Sequence, residues 1–211
     1  MALLLCAEFP QLCLCARPKR DLAPGAVRPG QWLNWIDEPA LGSKPMLMEV
    51  RFYQLSRTSQ EEALAKLLSL TLTRGFRAWV RLSDSEPLKP LSQALWAHGG
   101  DYGFLPHGNV GEDHDADQPI LFCQGETAPS NGAAFGFWSN AYVSHADPDQ
   151  FAANLEQMRI QGGERLILLF DAQDQTAVTK ARNIWKVILG IDAVERSFWQ
   201  QESNGSWVKA A

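Results

Sequence analysis

Three motifs are missing from this 211-residue chain: a glycine fingerprint after the first apolar strand, a GxxxxGK[ST] loop and a GxSxG elbow. The first two absences remove the backbone cradles that hold nucleotide phosphates, and the third removes the exposed serine nucleophile of an α/β hydrolase. No apolar run approaches the roughly 18 to 20 residues needed to cross a bilayer. Cysteine is scarce: of four, Cys6, Cys13 and Cys15 fall in the first fifteen residues, leaving only Cys123 beyond them. No disulfide can form within residues 46–211, which suits a reducing cytoplasm. Cys13-Leu-Cys15 has no further ligand at zinc-site spacing. A basic surplus is also absent. Residues 46–211 hold fourteen Lys or Arg against twenty Asp or Glu, a net of -6, while residues 1–45 hold five against four. Duplex binding draws its affinity from cations that neutralise phosphates, so this balance argues against direct DNA binding.

What is present divides at about Met46. Residues 1–45 show no sustained period, carry prolines at 10, 18, 24, 29, 39 and 45, and place Ala2–Leu5 before Arg17, Lys19 and Arg20. That order is wrong for a secretory signal. The segment reads as a disordered extension, or as sequence preceding a true start at Met46 or Met48. Against idleness stand Trp32 and Trp35.

From Met46 onward, residues 46–211 read as a single α/β domain. Met48–Tyr53 alternates like a half-buried strand. Thr58 and Ser59, each with a glutamate three residues on, open a helix whose face is Leu64, Leu67, Leu68 and Leu72, and Gly75 ends it. Ala78, Val80 and Leu82 alternate with Arg77, Trp79 and Arg81 in a second strand. Leu88, Leu91 and Leu95 mark a short helix that breaks at Gly99-Gly100, followed by a compact loop with Phe104, Pro106 and His107. Pro119–Cys123 and Phe135–Val143 read as short strands. Asp147-Pro148 starts a helix carrying Phe151, Leu155 and Met158. Arg165–Asp171, RLILLFD, has the continuous apolar character of a central parallel strand. A helix over Asp174–Leu189 ends at Gly190, a strand covers Val194–Gln200, and an Asn204-Gly205 turn leads to Trp207. Alternating strands and helices of this kind predict a Rossmann-like α/β sandwich around a largely parallel sheet.

Chemistry has few footholds. His107 has the acid–base character of a general base but no nucleophile is paired with it by motif, and its plainer role is to fix its loop by hydrogen bonds. Gly111–Asp117, GEDHDAD, gathers carboxylates and a histidine, yet lacks the glycine turn and terminal glutamate of a calcium loop and reads as a solvated acidic loop. The last long helix is more specific. Val178, Arg182 and Trp185 share one stripe, beside a core stripe of Ala177, Ala181, Ile184 and Ile188. Lys186 adds a second cation near the helix C-terminus. An arginine beside an indole can hold a carboxylate while the ring takes an apolar side chain.

These residues together resemble the chi subunit of bacterial DNA polymerase III holoenzyme. The likeness runs through Val50-Arg-Phe-Tyr-Gln-Leu55, Arg74-Gly-Phe-Arg-Ala-Trp-Val-Arg-Leu82, Ala94-Leu-Trp96 with Phe104-Leu-Pro-His-Gly108, and Gln118-Pro-Ile-Leu121. It continues through Leu169-Phe-Asp171, Ala181-Arg182 with Trp185-Lys186, and Phe198-Trp-Gln-Gln201 with Gly205-Ser-Trp207. It covers about Met46 to Lys209, and residues 1–45 have no counterpart. The resemblance implies a Rossmann-like fold that binds no nucleotide or other cofactor, and a non-catalytic accessory subunit associated with the clamp loader. It also implies two partners, the acidic C-terminal tail of single-stranded DNA-binding protein and the psi subunit, with DNA reached indirectly. Carried over residue by residue, the tail pocket would be Arg182, Trp185, Trp96 and Phe104, flanked by Val178 and Lys186, with Pro106 and His107 shaping the loop. Relatives often have tyrosine where Trp185 stands. Two rival readings remain at this point. One is a small hydrolase using His107 and the 112–117 carboxylates. The other is a single-strand binder stacking bases on Trp79, Trp96 and Trp185, against which the acidic charge weighs.

Overall fold

The computed structural model describes residues 47–98, 104–202 and 204–211. The extension expected over residues 1–45 and the helix break expected at Gly99-Gly100 lie outside these residues. The elements are β1 (Met48–Leu55), α1 (Gln60–Thr73), β2 (Ala78–Leu82), α2 (Leu88–Ala97), β3 (His107–Asn109), β4 (Ile120–Gln124), β5 (Phe135–Trp138), α3 (Asn140–His145), α4 (Pro148–Ile160), β6 (Arg165–Asp171), α5 (Gln175–Ile188), β7 (Val194–Gln201) and β8 (Trp207–Lys209). The strands form one sheet in the order β3-β4-β2-β5-β6-β1-β7-β8. All pairings are parallel except the final β7–β8 pair. The expected α/β sandwich is therefore the observed fold.

Strand parity divides the core into two layers. Val50, Phe52, Trp79, Leu121, Leu166 and Leu168 point to the face covered by α3, α4 and α5. Tyr53, Val80, Ile120, Phe137, Ile167 and Leu169 point to the face covered by α1 and α2. With both faces covered, β6 is buried from Leu166 to Phe170, as its uninterrupted apolar run implies. Burial on α1 is substantial: Leu64, Leu67 and Leu68 are almost wholly enclosed, each stabilising the fold by about 1.5–3 kcal/mol. Ser59 caps that helix by accepting from the Glu62 N–H, and Gly75, at φ +84°, leaves it.

Two readings are corrected. The expected strand over Phe135–Val143 ends at Trp138, where Ser139 accepts from the Tyr142 N–H and starts α3. Its apolar Ala-Tyr-Val sequence has no period of its own in six residues, so the cap decides. The half-buried strand expected over Met48–Tyr53 is instead covered on both faces, with only Glu49 and Gln54 of β1 partly exposed, and all five residues of β2 are buried as well. Trp79 and Arg81 face the second helical layer, not solvent. Their neighbour Gly136 has no side chain because the Trp79 ring lies across it; a Cβ there would sit 2.3 Å from the indole.

The loop after β1 is closed by a side chain from the far end of the chain. The Gln201 side-chain carbonyl accepts from the Ser56 and Arg57 N–H groups at 2.9 Å and from Thr58 at 3.4 Å. Its amide donates to the Thr58 hydroxyl at 2.7 Å.

Candidate functional site: a groove beside the last long helix

Asp174 starts α5, its carboxylate accepting from Thr176 and Ala177 N–H groups at 3.0 Å. These bonds, led by the Ala177 N–H, hold its carboxyl below the ordinary value despite the opposing effect of burial. Ala177, Val178, Ala181, Ile184 and Ile188 are buried against the sheet, so the stripes expected from the spacing are present. Three helices, α3, α4 and α5, cover this face of the sheet, and Phe198 of β7 stays partly uncovered beside α5. The result is a groove of about 440 Å³ lined by Val178, Arg182, Trp185 and Lys186 on one wall. Its floor comes from strands: Phe52 and Gln54 of β1, Phe170 of β6, Phe198 and Gln200 of β7.

Trp185 is fixed from several sides. Its ring meets Phe52 edge-on at 5.2 Å and Phe198 edge-on at 6.5 Å. The Arg196 guanidinium lies over it at 4.8 Å, a cation–π contact. Arg196 also keeps a buried Nε–H with no acceptor. Arg182 and Lys186 are exposed on the same helix. Two cations, Arg182 and Lys186, thus border an aromatic groove on a domain whose net charge is negative. Such a site can take a peptide that combines a carboxylate with an apolar ring.

Phe52, Phe170, Phe198 and Arg196 were missed in the sequence. Strand parity alone says only that each phenylalanine keeps one face of its strand; the β1–β7 register is what sets Phe52 opposite Phe198 on the α5 side.

Trp96 and Phe104 are elsewhere. They stack on each other at 4.1 Å, 58% and 45% exposed. The helix and loop that carry them bury Leu91, Leu95 and Leu105 in the α1–α2 layer, on the opposite face of the sheet from α5. They stand beside the β3 edge, five strand positions from β1, a lateral distance on the order of 20 Å. One ring cannot be clasped by Trp96, Phe104 and Trp185 together. The single pocket expected from the resemblance is two surfaces.

His107 holds the second surface in shape. Its Nε2 lies 2.9 Å from the Ser92 hydroxyl and its Nδ1 2.7 Å from the Leu105 carbonyl. A carbonyl can only accept, so Nδ1 carries the proton and Ser92 donates to Nε2. Pro106 lies between Leu105 and His107 in this clip. The serine and histidine approach like a nucleophile and base, but the third partner is a backbone carbonyl and not an orienting carboxylate. The 112–117 carboxylates are used locally: Glu112 accepts from Asn109 and Asp115 from the Gly111 N–H. Among the described residues no group of three or more acidic, histidine or cysteine side chains converges as metal ligands. Trp79, 5% exposed, offers no face on which a base could stack. No described helix is long and apolar enough to cross a membrane.

The described residues thus form an α/β/α sandwich with a cation-rimmed aromatic groove beside α5. The family model for the DNA polymerase III chi subunit, HolC, matches residues 47–190, and the chain belongs to that family. No curated protein matches it. The family is that of an accessory component of a DNA replication polymerase.

Proposed function

We propose that this subunit binds the acidic C-terminal tail of single-stranded DNA-binding protein in the α5 groove and links it to the polymerase III assembly, with no catalysis of its own. The observation that carries the reading is the placement of Arg182 and Lys186 on a groove lined by Phe52, Trp185 and Phe198, with Arg196 stacked on the Trp185 ring. A tail ending in a phenylalanine and a free carboxylate would place its ring on that floor and its charge against the cations. A single exposed site of this kind binds at about micromolar strength, near -8 kcal/mol. Salt weakens it, because the charges are solvent-accessible, and many tails on an oligomeric coat raise the avidity. A link needs a second surface, and the exposed Trp96–Phe104 stack supports pairing with the psi subunit there. Calorimetric titration with a peptide copying the partner's C-terminus is the test. Binding that Arg182→Ala weakens supports the reading; no binding at low salt refutes it.

A further inference from the structure

The groove beside α5 has two kinds of polar lining. Arg182 and Lys186 bring charge from the helix, while Gln54 and Gln200 bring neutral amides from the strands. These two glutamines face each other in the parallel β1–β7 register. The Gln200 Nε2 donates to the Gln54 Oε1 at 3.1 Å, in a bond exposed to solvent. A primary amide carries two N–H donors and an acceptor oxygen, so this mutual bond leaves N–H groups on Gln54 and a carbonyl on Gln200 to spare. Reversing both amides exchanges the two roles and changes nothing else.

Position gives the pair its meaning. Phe52 and Phe198, also face to face, lie two residues back along the same strands, which puts the amides about 7 Å beyond the aromatic floor. The helix starts beyond the end of β6 and finishes before β7 begins, so it runs against the strands. Lys186 therefore stands toward the strand starts, and the amides stand at the strand ends. An extended peptide advances about 3.3 Å per residue. One whose last ring rests on the floor then carries its preceding peptide groups across Gln54 and Gln200.

We infer that Gln54 and Gln200 are a positioning pair for peptide backbone, donating to one main-chain carbonyl and accepting from one main-chain N–H of the bound tail. This rests on the tail-binding reading above and adds a direction: the chain leaves the groove over the ends of β1 and β7. Arg182 and the aromatic floor recognise a carboxylate and a ring, which a small apolar acid also offers. The amide pair recognises that the ligand is a peptide. A few placed polar groups in an otherwise apolar site commonly set orientation in this way.

A pair that served only the sheet would be indifferent to the ligand's backbone, and this separates the two roles. The full chain is titrated calorimetrically with a peptide copying the partner's C-terminus and with three analogues. In each analogue one of the last three peptide bonds is an ester, which removes one N–H and keeps the side chains and carboxylate. For one ester, wild type is expected to bind about threefold to tenfold more weakly than to the parent. In Gln54→Met with Gln200→Met that penalty vanishes, because parent and ester bind alike; Gln200→Met alone, at an exposed position, gives the same readout should the double variant fail to fold. Arg182→Ala weakens the parent and all esters by a common factor. Two results overturn the inference while leaving tail binding intact: all three esters matching the parent in wild type, or an ester penalty undiminished in the glutamine variants. Wild type that fails to bind the parent peptide at all overturns the inference and the tail-binding reading together.

Discussion

Separation of the two aromatic surfaces makes a sharp prediction about Trp96. If the tail lies in the α5 groove, removing Arg182 deletes a charged hydrogen-bond donor worth about 1.5–3 kcal/mol in a desolvated setting. Arg182 is exposed, so solvent screening reduces that to about 1–2 kcal/mol. The dissociation constant should rise roughly fivefold to thirtyfold. Trp96→Ala removes a large aromatic group, but from the opposite face and beyond several strands. Changes so far apart with no shared partner couple by no more than about 0.5 kcal/mol, so tail affinity should stay within about threefold of wild type. A shared pocket predicts the reverse, since truncating a central tryptophan typically costs 2 kcal/mol or more. The assay is calorimetry of a tail peptide against wild type, Arg182→Ala, Trp96→Ala and the double variant. Loss of tail binding in Trp96→Ala, with its circular dichroism unchanged, would refute the assignment to the groove. Pairing with psi is expected to follow the opposite pattern, lost with Trp96 and kept without Arg182.

Other expectations concern the framework. Asp174→Ala removes the cap of the helix that carries the groove and should cost about 1–2 kcal/mol, read as a lowered urea midpoint with faster amide exchange at Thr176 and Ala177; an unchanged midpoint would show that the cap is idle. Glu49 is bonded to Arg51 at 2.8 Å and also pairs with Arg165. Burial opposes its ionisation, but the Arg165 and Arg51 charges outweigh that and hold its carboxyl below the ordinary glutamate value. A lowered carboxyl stabilises the fold above the unfolded group's pKa and loses that contribution as pH falls through the folded value. The urea midpoint should therefore drop on acidification below about pH 4.5, and drop less steeply in Glu49→Gln. Gly136→Ala drives a methyl into the buried Trp79 ring, with an expected cost of about 1–3 kcal/mol; a melting temperature equal to wild type would contradict the packing.

Long, strongly patterned segments were legible in the chain. RLILLFD announced a strand covered on both faces, and the two stripes over residues 175–188 announced both the buried side of α5 and the side that borders the groove. Alternation was less informative for β2. A period of two tells which residues oppose one another, not whether the second face meets water or a second layer of helices, so the alternation left the surroundings of Trp79 and Arg81 open. The split of the site was illegible for another reason. Trp96, Phe104, Arg182 and Trp185 are all large groups beside loops or helix faces, and only the sheet order places them on opposite sides. Phe52 and Phe198 needed the same information: they become one floor only when β1 and β7 are known to be neighbours. The helix at Asn140–His145 is too short for periodicity, and Ser139 was its sole marker.

The Gln201 side chain has a wider consequence. In a nucleotide-binding relative of this architecture, the turn after the first strand turns its N–H groups toward a phosphate. Here a neutral amide oxygen from β7 already satisfies the N–H groups of Ser56, Arg57 and Thr58. The place a phosphate would take is occupied from within, by a side chain 145 positions downstream of Ser56. Placing glycines at residues 54–58 would not by itself create a nucleotide site, because the donors are spoken for. The same side chain ties the entrance of the first helix to the end of the strand that floors the groove.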